Sequence, residues 1–111
     1  MSDHLRFEVK DKVAVMTLNR PEAMNAFTPD ILTSWVARLE ECQQRDDVNV
    51  LLVTGTGRAF SSGGDVKRMG ESADNSPRTT KDRLWTQTQS VAKRMLEFDK
   101  PAIAAINGVA V

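Results

Sequence analysis

Val48-Asn49-Val50-Leu51-Leu52-Val53-Thr54 runs directly into Gly55-Thr56-Gly57-Arg58-Ala59-Phe60-Ser61-Ser62-Gly63-Gly64-Asp65. An apolar, β-branched run of this length is a strand covered on both faces. The glycine-rich segment after it is a turn that opens onto Val66-Lys67-Arg68-Met69. On the N-terminal side, Thr28-Pro29-Asp30 starts a helix: Thr28 caps, Pro29 takes the first helical position, where no N–H is missed, and Asp30 favours the positive end. Ile31, Trp35, Leu39 and Cys42, with Leu32 and Val36, form one apolar stripe at helical spacing, and Asp46-Asp47 ends the helix. Trp35 is a core residue on this reading, and Cys42 a small buried apolar group.

Further out, Leu5–Lys10 and Val13–Asn19 are β-rich runs joined by a tight hairpin at Asp11-Lys12. Pro21 forbids the second strand from continuing. Beyond the glycine-rich turn, residues Glu71–Thr79 read as a polar loop and Thr80–Phe98 as a second helix with Leu84, Thr88, Val91 and Met95 on one face. Asp99-Lys100-Pro101 breaks that helix, and Pro101–Ile106 is a further buried strand. The order ββ-α-β-α-β, with strands that need cover on both faces, gives an α/β fold. No repeat at a fixed short period is visible.

The 111 residues fit one domain or a piece of one. Fifteen Lys plus Arg balance fifteen Asp plus Glu, so no basic excess points to nucleic acid. The apolar runs fall well short of the ~20 residues of a membrane helix, and Met1–Phe7 is not a secretory signal. With Cys42 as the single cysteine, there is neither a disulfide framework nor a cysteine metal site, and a cytoplasmic protein is expected. The sequence stops inside the apolar run Pro101–Val111, so it reads as a domain cut short.

The Gly63-Gly64-Asp65 turn is the segment with chemical potential. Two glycines let the backbone bring N–H groups close to a ligand, and a helix starting at Asp65 favours anionic oxygen there. The same turn is also explained as a plain connector, and the residues alone leave both readings open. A nucleotide P-loop needs Gly-x-x-x-x-Gly-Lys-Ser/Thr, which is absent, and the dinucleotide pattern begun at Gly55-Thr56-Gly57 fails at Phe60. Asp65 reads as a helix cap in preference to an acid or base. Ser61 and Ser62 lack a partner base, since His4 is the one histidine and lies at the terminus. Arg20, Lys67 and Arg68 read as solvated cations or phosphate contacts.

Three segments together carry a resemblance. Leu18–Phe27 (LNRPEAMNAF), Ala59–Val66 (AFSSGGDV) and Lys100–Gly108 (KPAIAAING) resemble, in order and spacing, the three signatures of the crotonase (enoyl-CoA hydratase/isomerase) family. The resemblance spans essentially the whole chain. It implies a spiral of ββα units, of which residues 1–111 are the N-terminal half, followed in relatives by a helical region that builds homotrimers or hexamers. It implies an acyl-CoA substrate, with coenzyme A entering as part of the substrate and no separate cofactor or metal. The expected reaction is enoyl-CoA hydration through an enolate-like intermediate, with double-bond isomerisation as the alternative. In this likeness the backbone N–H of Gly64 is one of two oxyanion-hole donors. The second, and the catalytic acids, come from sequence after Val111. Ala23, Met24, Ala26, Ser62, Gly63, Gly64, Asp65 and Val66 fall at positions that border the coenzyme A in relatives. There the backbone at the Ser62 position bonds the adenine amino group and Asp65 is structural, while Leu84 or Trp85 shapes acyl selectivity. A non-catalytic fragment that binds a partner chain or coenzyme A is the reading from a different class.

Overall fold

A computed structural model describes residues 3–64 and 89–111. Strands β1 (Leu5–Lys10) and β2 (Val13–Leu18) form an antiparallel hairpin. Asp11 and Lys12 both have positive φ, 53° and 68°, the conformation a two-residue type I′ turn requires. A short 3₁₀ turn at Pro21–Ala23 precedes helix α1 (Pro29–Gln44). The Thr28 hydroxyl accepts the Ile31 N–H at 3.2 Å, so the expected cap is in place. The helix ends at Gln44, two residues ahead of Asp46-Asp47.

After α1 come β3 (Val50–Gly55) and β4 (Ala59–Ser61), then, past the undescribed stretch, α2 (Gln89–Glu97), β5 (Ala102–Ala105) and β6 (Val109–Ala110). The larger sheet has the order β1-β2-β3-β5, with β2–β3 and β3–β5 parallel. Parallel neighbours need long crossovers, and α1 lies in the first while α2 lies in the second. The smaller sheet pairs β4 with β6, also in parallel. The glycine-rich segment is therefore not turn throughout. Three of its residues are a strand too short to show a period in the sequence.

Register places Leu5, Phe7 and Val9 beside Leu18, Met16 and Ala14, and Ala14 and Met16 beside Leu51 and Val53, on one sheet face. That face packs on the buried stripe Ile31, Trp35, Leu39 and Cys42 of α1 and on the half-buried Val91 and Met95 of α2. Met16, Leu18, Ile31 and Leu51 are fully buried, each worth about 1.5–3 kcal/mol of apolar transfer. The Trp35 and Cys42 expectations hold, and burial raises the Cys42 thiol pKa, which keeps it protonated.

Two expectations of burial need correction. Val13, Val15 and Thr17 on the opposite face of β2, and Val50 and Leu52 on that of β3, are only half-buried, so among the described residues both strands are covered on one side. β5 was expected to be buried and is exposed along its length, with Ile103 and Ile106 more than half exposed. The physical reason is cover: β5 pairs with β3 at one edge of the described sheet, and none of its side chains joins the core that α1 and α2 close.

The predicted second helix is seen as Gln89–Glu97, while Leu84, Trp85 and Thr88, the loop Glu71–Thr79, and Asp65, Val66, Lys67 and Arg68 lie outside the described residues. No described helix is long and apolar enough to cross a membrane.

Candidate functional site

Each strand of the parallel sheet leads into a loop, and the three loops converge. The first leaves β2 at Leu18. Met24 and Asn25 take left-handed backbone (φ 52° and 55°), which reverses the chain after the 3₁₀ turn. The loop closes on Arg20, whose carbonyl accepts the Ala23 and Asn25 N–H groups at 3.0 and 2.8 Å. The Arg20 N–H donates to Asn25 Oδ1 at 2.7 Å, and the Arg20 guanidinium donates to the Ala26 carbonyl at 3.0 Å. Arg20 is thus an element of the loop and not a loose cation.

Asn25 is fully buried and carries the link to the second loop. Its Nδ2 donates to the Thr56 and Ala59 carbonyls at 3.0 and 2.9 Å. The chain passes so close that a Cβ at Gly55 would lie 2.7 Å from the Phe60 oxygen and 3.0 Å from Asn25 Nδ2. Gly55 therefore answers to close packing and not to a ligand.

Ser62, Gly63 and Gly64 follow β4. The Ser62 N–H donates to the Met24 carbonyl at 3.0 Å, and the Gly63 carbonyl accepts the Phe27 N–H at 2.7 Å. Gly63 has φ 88°, a conformation that favours glycine. Ser61 is buried, and its hydroxyl accepts the Gly63 N–H at 3.0 Å while donating to the Asn25 carbonyl at 2.9 Å. Phe27 and Gly64 form a parallel bridge in which Phe27 uses its own N–H on the preceding carbonyl. In a bridge of this kind the N–H of Gly64 itself points away from Phe27. Gly64 is exposed, and among the described residues nothing accepts its N–H.

The third loop closes the cluster from the other flank. Asn107 Oδ1 accepts the Gly55 N–H at 3.1 Å, and its Nδ2 donates to the Gly57 and Ala59 carbonyls at 2.9 and 3.2 Å. A Cβ at Gly108 would collide with the Arg58 carbonyl, so only glycine fits there. The Val111 N–H donates to the Ser61 carbonyl at 3.0 Å. The Ala59 carbonyl is the point where the loops meet, since it accepts from both Asn25 and Asn107.

Of the residues read from the sequence, Ala23, Met24, Ala26, Ser62, Gly63 and Gly64 come together here, and Asp65 and Val66 fall outside the described residues. Ala26 is buried, and its N–H and carbonyl are both used within the loop, on Ala23 and Arg20. The Ser62 N–H is used on Met24, which leaves its carbonyl as the available group, an acceptor. Asn25 and Asn107 were not singled out by the sequence reading, and Ser61 was weighed there only as a nucleophile, yet their side chains tie the loops together. Their signals were modest: an Asn beside an expected turn, a Ser two residues before a Gly-Gly pair, and an Asn-Gly step.

The site is a backbone device. Apart from the Arg20 guanidinium, the described side chains that hold it are neutral amides and a hydroxyl. No cluster of three metal-ligating side chains occurs among the described residues. What the arrangement offers a ligand is a directed N–H at an exposed glycine, supported on both flanks by hydrogen-bonded chain. Such a group suits a developing negative charge on oxygen.

A sequence model of the enoyl-CoA hydratase/isomerase family matches residues 13–111. The chain is similar to the 2,3-dehydroadipyl-CoA hydratase of Escherichia coli, 34% identical over 91% of the chain and 37% of that protein. It is also similar to the small ribosomal subunit protein mS47 of Schizosaccharomyces pombe, 29% identical over 97% of the chain and 25% of that protein. Among solved structures, a probable enoyl-CoA hydratase from Mycobacterium smegmatis superimposes with a TM-score of 0.86 at 28% identity, over 96% of the chain and 42% of that structure. The chain thus spans between a quarter and about two-fifths of the length of these proteins.

Proposed function

The chain belongs to the enoyl-CoA hydratase/isomerase family, and from that premise we propose that it supplies the first half of an active site for acyl-CoA thioesters. The favoured reaction is hydration of an enoyl-CoA. Water adds its hydroxyl to the β-carbon, the electron pair of the C=C bond moves onto the thioester oxygen, and its return accompanies protonation of the α-carbon. The negative oxygen formed on the way is the species that a fixed N–H stabilises more than it stabilises the substrate. Gly64 is the proposed donor. The observation that carries this is its exposed N–H, turned away from the Phe27 bridge and without an acceptor among the described residues. Support for a coenzyme A thioester comes from the E. coli relative, whose name specifies a CoA hydratase.

The second donor and the acids and bases are proposed to belong to sequence after Val111, so the 111 residues by themselves are expected to be inactive. A full-length protein with this segment is expected to be a homotrimer or hexamer. Isomerisation of the double bond uses the same stabilised oxygen and remains the alternative reaction. A binding role is a second reading, favoured by the similarity to a ribosomal subunit protein. Fold alone does not choose between them.

Incubation of the full-length protein with crotonyl-CoA separates these readings. Loss of the enoyl thioester absorbance with formation of 3-hydroxybutyryl-CoA supports hydration. Tight binding of coenzyme A esters, with no turnover of any enoyl-CoA tried, supports the binding role and contradicts the catalytic one.

A further inference from the structure

Two adjacent N–H groups, those of Gly63 and Gly64, lie in the turn after β4, but only one is left for a ligand. The difference is made by Ser61. Its hydroxyl is buried and makes two hydrogen bonds, accepting the Gly63 N–H at 3.0 Å and donating to the Asn25 carbonyl at 2.9 Å. Three further polar groups of the turn are also taken up: the Ser61 carbonyl by Val111, the Ser62 N–H by Met24, and the Gly63 carbonyl by Phe27. Gly63 is held at φ 88° between these contacts, and the following N–H is thereby directed away from Phe27.

We propose that Ser61 is a positioning residue. By occupying the Gly63 N–H and anchoring the turn to the Asn25 loop, it leaves the Gly64 N–H as the single directed donor and fixes where that donor points. Without the hydroxyl, the Gly63 N–H has no partner in the turn and the link to Asn25 is lost, so the turn no longer fixes the direction of the Gly64 N–H. A donor displaced by an ångström loses most of its preference for the transition state. The inference rests on Gly64 acting as an oxyanion donor, and it deepens that reading by naming the side chain that sets the donor's direction.

Ser61→Ala and Ser61→Cys in the full-length protein, beside Gly64→Pro, test it. The thiol is a weaker and longer hydrogen-bonding group that still fills the site. Ser61→Ala is expected to lower kcat ~10- to 10²-fold while KM moves less than about threefold. Ser61→Cys is expected to fall between Ala and wild type. The ¹³C resonance of a bound, carbonyl-labelled thioester is expected to shift back toward its free value in Ser61→Ala. If Ser61→Ala does not fold, Ser61→Cys is compared with wild type on the same two readouts, with a smaller loss in the same direction expected. The proposal is overturned if the folded variant keeps wild-type kcat, or if it loses activity with the carbonyl resonance unmoved, since that loss would be merely structural. Gly64→Pro distinguishes the two levels. If it abolishes turnover while Ser61→Ala does not, Ser61 is dismissed and Gly64 stands. If Gly64→Pro leaves turnover intact, the reading of Gly64 itself fails and the proposal for Ser61 falls with it.

Discussion

Fully buried and at φ 55°, Asn25 meets a backbone demand and a hydrogen-bonding demand at one position. Asn and Asp enter left-handed backbone more readily than other non-glycine residues, but only the amide can donate to the Thr56 and Ala59 carbonyls while accepting from the Arg20 N–H. Asn25→Asp keeps the shape and the backbone preference and removes both donations. It is expected to destabilise the protein by about 2–4 kcal/mol at pH 7, because two carbonyls then face a buried carboxylate. Burial raises the folded pKa of the introduced acid above the unfolded ~3.9, so the deficit should grow as pH rises from the unfolded value through the folded one, and shrink in acid. Urea denaturation of the variant at pH 5 and pH 7 checks both claims, and stability equal to wild type at pH 7 contradicts them. The sequence did not reveal this role. A polar residue next to a proline turn reads as solvated, and the carbonyls that bury Asn25 lie 31 and 34 residues away.

Helix α1 was legible because its start is encoded locally, in Thr28-Pro29-Asp30, and its face by periodicity. Its end is encoded elsewhere. Lys100 reaches back from the start of the third signature, and its ammonium donates to the carbonyls of Cys42, Arg45 and Val48 at 2.6, 2.7 and 2.8 Å. Those carbonyls belong to the last turn of α1 and the link to β3, where unpaired acceptors and the negative end of the helix favour a cation. Gln43 and Asp99 add a reciprocal pair of hydrogen bonds beside it. The Lys-Pro step of the third signature therefore pins a helix that ended more than 50 residues earlier. Lys100→Met, which keeps the aliphatic stem, is expected to cost about 2–3 kcal/mol, read as a lower urea midpoint at unchanged slope. A change within 0.5 kcal/mol, the range ~0 ± 0.5 of an ordinary surface substitution, contradicts the cap. The short strands β4 and β6 escaped the sequence reading for a related reason. Three and two residues show no period, and each is defined by its partner in the smaller sheet.

Among the described residues one arrangement recurs: β2, β3 and β5 each lead into a loop beside the smaller sheet, and α1 and α2 return the chain to β3 and β5. Parallel pairing aligns Leu18 with Gly55, 37 positions apart, and Thr54 with Ala105, 51 positions apart. Because the two intervals differ, no fixed period exists for a sequence reading to find. The family signatures were legible where the repeat was not, because each loop is constrained by the other two. A Cβ at Gly55 or Gly108 meets backbone, and Asn25 and Asn107 share one carbonyl. The convergence of these loops holds Gly64 at the surface, and the central claim is that its N–H stabilises the thioester oxygen. Gly64→Pro in the full-length protein deletes that N–H, and Gly64→Ala keeps it. Turnover of crotonyl-CoA is measured for both, with circular dichroism and coenzyme A affinity taken on the same preparations. The account predicts a fall in kcat of ~10² or more for Gly64→Pro at near-normal coenzyme A affinity, and a much smaller effect for Gly64→Ala. A folded Gly64→Pro protein that binds coenzyme A and turns over at close to the wild-type rate would contradict it.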